Sequence, residues 1–215
     1  MRFYIGDLHF FHDALNHKMD RRGFADCEEM HDYIVQKWNA KVRPCDEVVI
    51  LGDISLGSAA QTGELLSRLN GRLYLIVGNH DHVVEHRNFD RNRFVWIKEY
   101  DEISDNRRKV VLCHYPIMFY NGQYRRNEKG EPMTYMLYGH VHDTADQKLM
   151  DRFIEMTRQT SVIDASEKQV NIPCNLINCF CKYSDYTPLT LDEWIELDEQ
   201  RRKEGTYIFE QQMPE

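Results

Sequence analysis

Gly78-Asn79-His80-Asp81 stands directly after the apolar run 73–77. It sets an amide, an imidazole and a carboxylate in a row, groups that can bind a metal ion or move a proton. Four other apolar runs end in the same manner. Residues 2–5 lead to Asp7 and His9, residues 47–51 to Asp53, residues 109–113 to His114, and residues 134–138 to His140 and His142. Glycine precedes the first candidate donor in four of the five cases, as Gly6, Gly52, Gly78 and Gly139, where it permits a tight turn and a close backbone approach. One strand-end Asp or His is commonly a turn residue. Five such ends in order, all offering oxygen or imidazole, point to a single site.

The donor types narrow the chemistry. Carboxylate, amide and imidazole without thiolate suit Mn, Fe, Zn, Co or Ni. Asp7, His9, Asp53, Asn79, His114, His140 and His142 are too many for one tetrahedral zinc. They suit two adjacent divalent ions sharing a carboxylate, and such a pair, about 3.5–4 Å apart, can clamp the attacking and leaving oxygens of a phosphoryl group.

These donors require a scaffold that gathers five strand ends. An α/β sheet does so, because its ligands collect at the carboxyl ends of the strands. Residues 2–5, 47–51 and 73–77 read as strands separated by helical patterns. Asp26 with Glu29 marks a helix start after a loop running to about Ala25, and Met30, Ile34 and Trp38 recur at spacing four as its buried face, with Tyr33 beside them. Ser58 caps a second helix carrying Leu65, Leu66 and Leu69, closed by Asn70-Gly71. Residues 94–97 and 100–103 read as strand, Asp105-Asn106 as a turn, and 109–113 and 134–138 as further strands. A helix from Asp146 to about Gln159 has Leu149, Phe153 and Met156 on one side. Residues 175–180 read as a last strand. The capping box Thr190–Glu193 opens a final helix with Leu191, Trp194, Ile195 and Leu197, ending near Gly205, and 207–215 reads as a loose tail. With no repeat or linker, the expectation is one α/β domain over 1–215 with a largely parallel start.

The chain has 215 residues and a net charge of −8. That length buries a sizeable core, and no apolar run approaches the ~20 residues of a membrane span. The N-terminus meets polar residues too early for a signal peptide, so a cytoplasmic location is expected. Acidity disfavours extended nucleic acid, which needs clustered Lys and Arg, but not a small phosphorylated substrate. The six cysteines are scattered and read as reduced thiols. Alternation places Cys179 and Cys181 on one strand face, as small half-buried hydrophobes rather than a redox or metal pair. Oligomeric state is not encoded.

The series Asp7-x-His9, Gly52-Asp53, Gly78-Asn79-His80-Asp81, His114 and Gly139-His140-x-His142 resembles the calcineurin-like metallophosphoesterase superfamily. It matches that family's five metal-binding blocks in order over residues 5–142, about two thirds of the chain. Residues 24–39 and 177–193 further resemble the small bacterial and phage-type phosphoesterases of the group. The resemblance implies a four-layer αββα sandwich, with two mixed sheets packed face to face between helices. It implies two divalent ions, manganese foremost. Asp7, His9 and His142 hold the first, Asn79, His114 and His140 the second, and Asp53 bridges them. It implies in-line attack of a metal-bridging hydroxide on a phosphate ester, with His80 as general acid and Asp81 orienting its ring. A phosphodiester and a phosphomonoester use the same ligands, so both stay open. The alternative is a non-catalytic metal-binding scaffold on the same fold. Its signature would be a missing donor or a missing His80, and all are present.

Weaker candidates surround this set. Arg125 and Arg126 lie between two donor-bearing runs, a placement that starts and ends their loop at the site, where guanidinium forks can grip phosphate. The competing reading is an exposed basic loop. Tyr115 could line the pocket, and Arg21-Arg22 could act like the other arginines. His12 and His17 could face phosphate or be solvated loop residues. His82 reads as capping or packing, His31 and His86 as solvent-exposed, and Arg107-Arg108-Lys109 as a surface turn.

Overall fold

The structure is a computed structural model describing residues 1–163 and 167–204. The tail expected at 207–215 lies outside the described residues. Strands β1 (Arg2–Ile5), β2 (Glu47–Ile50), β3 (Arg72–Ile76) and β4 (Phe94–Lys98) form one sheet in chain order, with every neighbouring pair parallel. Strands β1 to β3 are apolar on both faces, as a sheet covered on both sides requires. Phe3, Ile5, Val48, Ile50, Leu73 and Leu75 turn one way, toward Met30, Ile34 and Trp38 of α2 (Cys27–Lys41) and Leu65 and Leu66 of α3 (Ala59–Ser67). Both helix starts follow the sequence. Asp26 accepts the Glu29 N–H at 2.9 Å, and Ser58 forms a capping box with Gln61. One short helix, α1 (Ala14–His17), interrupts the stretch expected to be loop.

The second sheet runs β10-β7-β6-β5, built from β5 (Tyr100–Asp105), β6 (Arg108–Cys113), β7 (Thr134–Tyr138) and β10 (Leu176–Asn178). Here β6, β7 and β10 are parallel, and β5 is antiparallel to β6. Asn106 and Arg107, both at positive φ (46° and 67°), make the tight turn between β5 and β6 that matches hairpin twist. Only this second sheet is mixed, against the expectation of two, because every connection within the first sheet is a crossover. Tyr4, Val49 and Ile76 of the first sheet share an apolar cluster with Val110, Leu112, Leu137 and Ile177 of the second, joined by Trp194 of α5 (Leu191–Lys203). The Trp194 indole N–H donates to Tyr4 O at 2.9 Å. Each large apolar chain buried there contributes about 1.5–3 kcal/mol, and this core underlies the strand ends that carry the donors.

A third cluster joins Val111, Met136, Tyr138 and Leu176 to Met150 and Ile154 of α4 (Ala145–Gln159). Of the apolar side by which the sequence announces this helix, only Phe153 packs against the core. Leu149 and Met156 are 60% and 61% exposed, while Gln147, Met150, Asp151, Ile154 and Thr157 face inward. The inward polar groups are satisfied: Gln147 accepts from Tyr138 and Asn178 and donates to Asp151. A short hairpin of β8 (Ser161–Ile163) and β9 (Gln169–Asn171) follows α4 and was not expected. Cys179 and Cys181 do not share a strand face. β10 ends at Asn178, so Cys179 packs between the sheets and Cys181 against the α2 side. Burial raises both thiols well above their usual value, as inert packing residues. Among the described residues no helix is long and apolar enough to cross a membrane.

Candidate metal centre

The ends of β1, β2 and β3 meet those of β6 and β7, and there two groups of donors overlap. Asp7, His9, Asp53 and His142 form one, and Asp53, His114 and His140 the other, with the ligand atoms of each group within 4.8 Å of one another. Asp53 belongs to both. Its Oδ2 lies 3.3 Å from His9 Nε2 and 3.5 Å from His114 Nε2, and His142 Nε2 lies 3.5 Å from Asp7 Oδ1. Asn79 Oδ1 sits 2.8 Å from His140 Nδ1 and 3.1 Å from His114 Nε2, on the side of the second group. All seven donors chosen from the sequence are therefore gathered in one place, from both sheets.

The residues fit divalent metal. Asp7 Oδ2 is buried without a hydrogen-bond partner, a state that proteins avoid unless something else satisfies the atom. His9 Nε2 and His142 Nε2 face each other at 3.1 Å. Burial pushes the Asp7 carboxyl up and the His9 imidazole down to about 4. Burial alone would also raise Asp53, but His114 and His9 outweigh it and hold that carboxyl well below the usual range. Burial opposes charge on His114, yet Asp53 and Asp7 raise it to about 9. Around Asp53 the cluster favours positive charge, as a carboxylate shared between two imidazole groups should, whereas burial keeps Asp7 and His9 toward their neutral forms.

The sequence profile described as the calcineurin-like phosphoesterase superfamily domain matches residues 4–163. The chain belongs to the calcineurin-like phosphoesterase superfamily. It is 29% identical over 199 residues to the uncharacterized protein MJ1445 of Methanocaldococcus jannaschii, covering 92% of this chain and 90% of that one. Over 83 residues, 37% of this chain and 39% of the other, it is 41% identical to the gene 66 protein of Mycobacterium phage L5. Its fold is similar to the crystal structure of the protein of unknown function AQ665 from Aquifex aeolicus, with a TM-score of 0.59 and 20% identity, covering 92% of this chain and 98% of that one.

The backbone of this candidate centre is strained. Asp7, His9, Asp53, His140 and His142 all have φ between 48° and 69°, a left-handed region that non-glycine residues seldom occupy. Two glycines are fixed by the carboxylates themselves. A Cβ on Gly78 would overlap Asp53 Oδ1, and one on Gly139 would come within 2.5 Å of Asp7 Oδ2. At Gly6 a Cβ would meet only ordinary contacts near 3.4 Å, so no close approach explains that glycine.

A second layer orients the imidazoles. His114 Nδ1–H donates to Leu51 O at 2.8 Å, turning Nε2 toward Asp53. His142 Nδ1–H donates to Asp20 Oδ1 at 2.7 Å, and Phe180 stacks on the His142 ring at 4.7 Å. Asp20 is buried, as is Arg22, whose Nε donates to Asp20 Oδ2 and whose terminal nitrogens donate to Leu8 O and Asp7 O. The sequence reading missed Asp20, which lies in a stretch with no hydrophobic periodicity. Arg22 itself is a brace behind the ligands and not a phosphate grip.

Other expectations need correction. Asp81 does not hold His80. Its Oδ2 accepts the backbone N–H groups of Asp53 (2.9 Å) and Gly78 (2.7 Å), and its Oδ1 that of Ile54 (2.7 Å). Asp81 therefore locks the loop after β2 to the loop after β3, and burial raises its carboxyl to about 6. Arg125 and Arg126 lie away from the centre. Because β6 and β7 are parallel, their connection leaves the site and must return to the opposite end of the sheet. Met133 N–H there donates to Arg125 O, and Arg126 Nη1 to Gly130 O. His31 is buried, not exposed, and its Nε2 accepts the Phe11 N–H at 2.9 Å.

His80 is exposed at the mouth, its ring 5.3 Å from that of His9. His12 joins the cluster, with Nδ1 3.4 Å from His9 Nδ1, while His17 stays on the surface. Tyr115 is 46% exposed, with its ring 4.5 Å from that of His140. His82 and His86 are exposed on the same side as His80.

Proposed function

We propose that this chain is a hydrolase of phosphate esters that works with two divalent metal ions. The observation that carries the reading is the sharing of Asp53 between two donor groups. Asp7, His9 and His142 would hold one ion, Asn79, His114 and His140 the other, and Asp53 both. Bound there, the ions would lower the pKa of a water molecule and draw charge from phosphoryl oxygens, with manganese the first metal to try. The protein's own part is orientation: Asp20 and Leu51 O fix the His142 and His114 rings, and Asp81 fixes the backbone around Asp53. The His80 backbone N–H donates to Asp53 Oδ1 at 2.8 Å. That bond leaves the ring free at the mouth to give a proton to the leaving oxygen. The three apolar clusters support a four-layer αββα sandwich, and the pairing of β10 with β7 supports one domain that includes the C-terminal segment. The substrate is a small phosphorylated compound.

Metal analysis of the purified chain should find about two ions per chain, and Asp53→Asn should lose both metal and turnover. His80→Ala should keep the metal and lose about 10²–10⁴-fold in turnover of an ester with an alkoxide leaving group. Near-normal turnover by His80→Ala would remove His80 from the acid role.

A further inference from the structure

We propose that the centre takes a phosphodiester, one arm lying on each side of the turn formed by residues 78–80, an inference that rests on the hydrolytic reading above. Two cavities flank that turn. The first, about 380 Å³, is lined by Ser55, Leu56, Ala59, His80, His82 and His86. The second, about 410 Å³, is lined by Gly78, Asn79, Glu99, Tyr100, Cys113 and Tyr115. They reach the centre at consecutive residues, the donor Asn79 in one and His80 at the mouth in the other. Both volumes fall within the ~300–1,000 Å³ of small-molecule sites. A diester has an organic group for each cavity, whereas a monoester has one and would leave the other to water.

Charge points the same way. A phosphomonoester carries close to two negative charges at neutral pH, its second pKa being about 6, and a diester carries one. Sites for the dianion gain from an arginine fork or a lysine. Neither cavity is lined by Arg or Lys, and the second holds the acidic Glu99. Arg22, behind the ligands, has its Nε and both terminal nitrogens engaged, and Arg125 and Arg126 are at the far end of the second sheet.

The arms are distinguishable. His80 lines the first cavity, so the leaving arm belongs there. Hydrolysis adds water across one P–O bond. Phosphorus gains a hydroxyl, the leaving oxygen takes a proton from His80, and the proton given up by the water restores His80. The products are an alcohol and a phosphomonoester whose retained arm sits in the second cavity. There Tyr100 and Tyr115 are 43% and 46% exposed, open rings that would stack on a flat group.

Three esters that release the same nitrophenolate test this on the metal-loaded full chain: bis-p-nitrophenyl phosphate, methyl p-nitrophenyl phosphate and p-nitrophenyl phosphate. The expected order of kcat/KM is bis-aryl, then methyl, then monoester, with the first exceeding the second about tenfold through KM. Tyr115→Ala and Tyr100→Ala should each bring the bis-aryl to methyl ratio toward one. A monoester hydrolysed as well as the bis-aryl diester, or a ratio that neither variant moves, overturns the diester inference while leaving phosphate-ester hydrolysis in place. Failure to turn over any of the three esters with two metals bound overturns the hydrolytic reading, and this inference with it.

Discussion

Asp20→Ala is the sharpest probe of how the centre is held. One oxygen of Asp20 holds His142 Nδ1 at 2.7 Å, and the other pairs with Arg22, whose side chain is 0% exposed. Breaking a buried pair from one side costs about 3–5 kcal/mol, because the remaining charge stays buried. That is a large part of a typical total of about 5–15 kcal/mol, so the variant should fold with a clearly lower denaturation midpoint in urea. Loss of the carboxylate behind a ligand imidazole should also weaken metal binding about 10–100-fold, read by competition with a chromophoric chelator. Asp20→Asn separates the two effects. Its amide oxygen still accepts from His142 Nδ1–H, so metal affinity should largely return, but its lost charge leaves Arg22 unpaired and stability low. The pH dependence has a definite sign. Burial would raise the Asp20 carboxyl, but His142 and Arg22 outweigh it and hold it below its usual value. Its stabilisation is therefore complete above the unfolded pKa and lost as pH falls through the depressed one. Asp20→Ala should flatten that acid limb in the metal-free chain. Unchanged metal affinity in Asp20→Ala, or equal affinities in the Ala and Asn variants, would refute the reasoning.

Two further substitutions test other parts of the scaffold. Asp81→Ala orphans the N–H groups of Asp53, Ile54 and Gly78, each at about 1–3 kcal/mol; urea denaturation should show a loss of several kcal/mol, and a loss under 1 kcal/mol would show that water replaces the carboxylate. Burial raises Asp151 from 3.8 to about 7, so between those values the folded chain holds a proton the unfolded chain has released, and stability falls as pH rises. Asp151→Asn should match the parent near pH 4 and exceed it near pH 8 in thermal melts, and equal melting temperatures at pH 8 would count against this.

The donors were legible because each follows an apolar run of strand length, and a parallel sheet turns such runs into one edge. Asp20 was hidden because residues 18–26 have no periodicity, so nothing in the sequence tells which of their side chains turns inward. The side of α4 could not be read from spacing. Leu149, Phe153 and Met156 make one apolar stripe and Met150 and Ile154 another beside it, and the second stripe carries Gln147 inward to bond with Tyr138 and Asn178 beneath. The arginines were misplaced for a topological reason. Residues 109–113 and 134–138 both end in donors of one site, so they run the same way. A connection between parallel strands starts at the site but re-enters the sheet at its far end, a consequence that placing the loop's two ends at the site overlooked. Asp81 was assigned by adjacency to His80, but neighbours on an extended turn point apart.

The left-handed backbone at Asp7, His9, Asp53, His140 and His142 puts stability and function at odds. At roughly 1–2 kcal/mol per non-glycine residue in that conformation, the five together forgo an amount comparable to the whole stability of many domains. Glycine would relieve the strain at every one of them. A procedure choosing sequence for this backbone by stability alone would therefore write glycine at all five and return a sturdier chain that no longer binds metal. Conversely, ordinary side chains persisting at such angles, clustered at converging strand ends, can be sought in other α/β proteins from backbone angles alone.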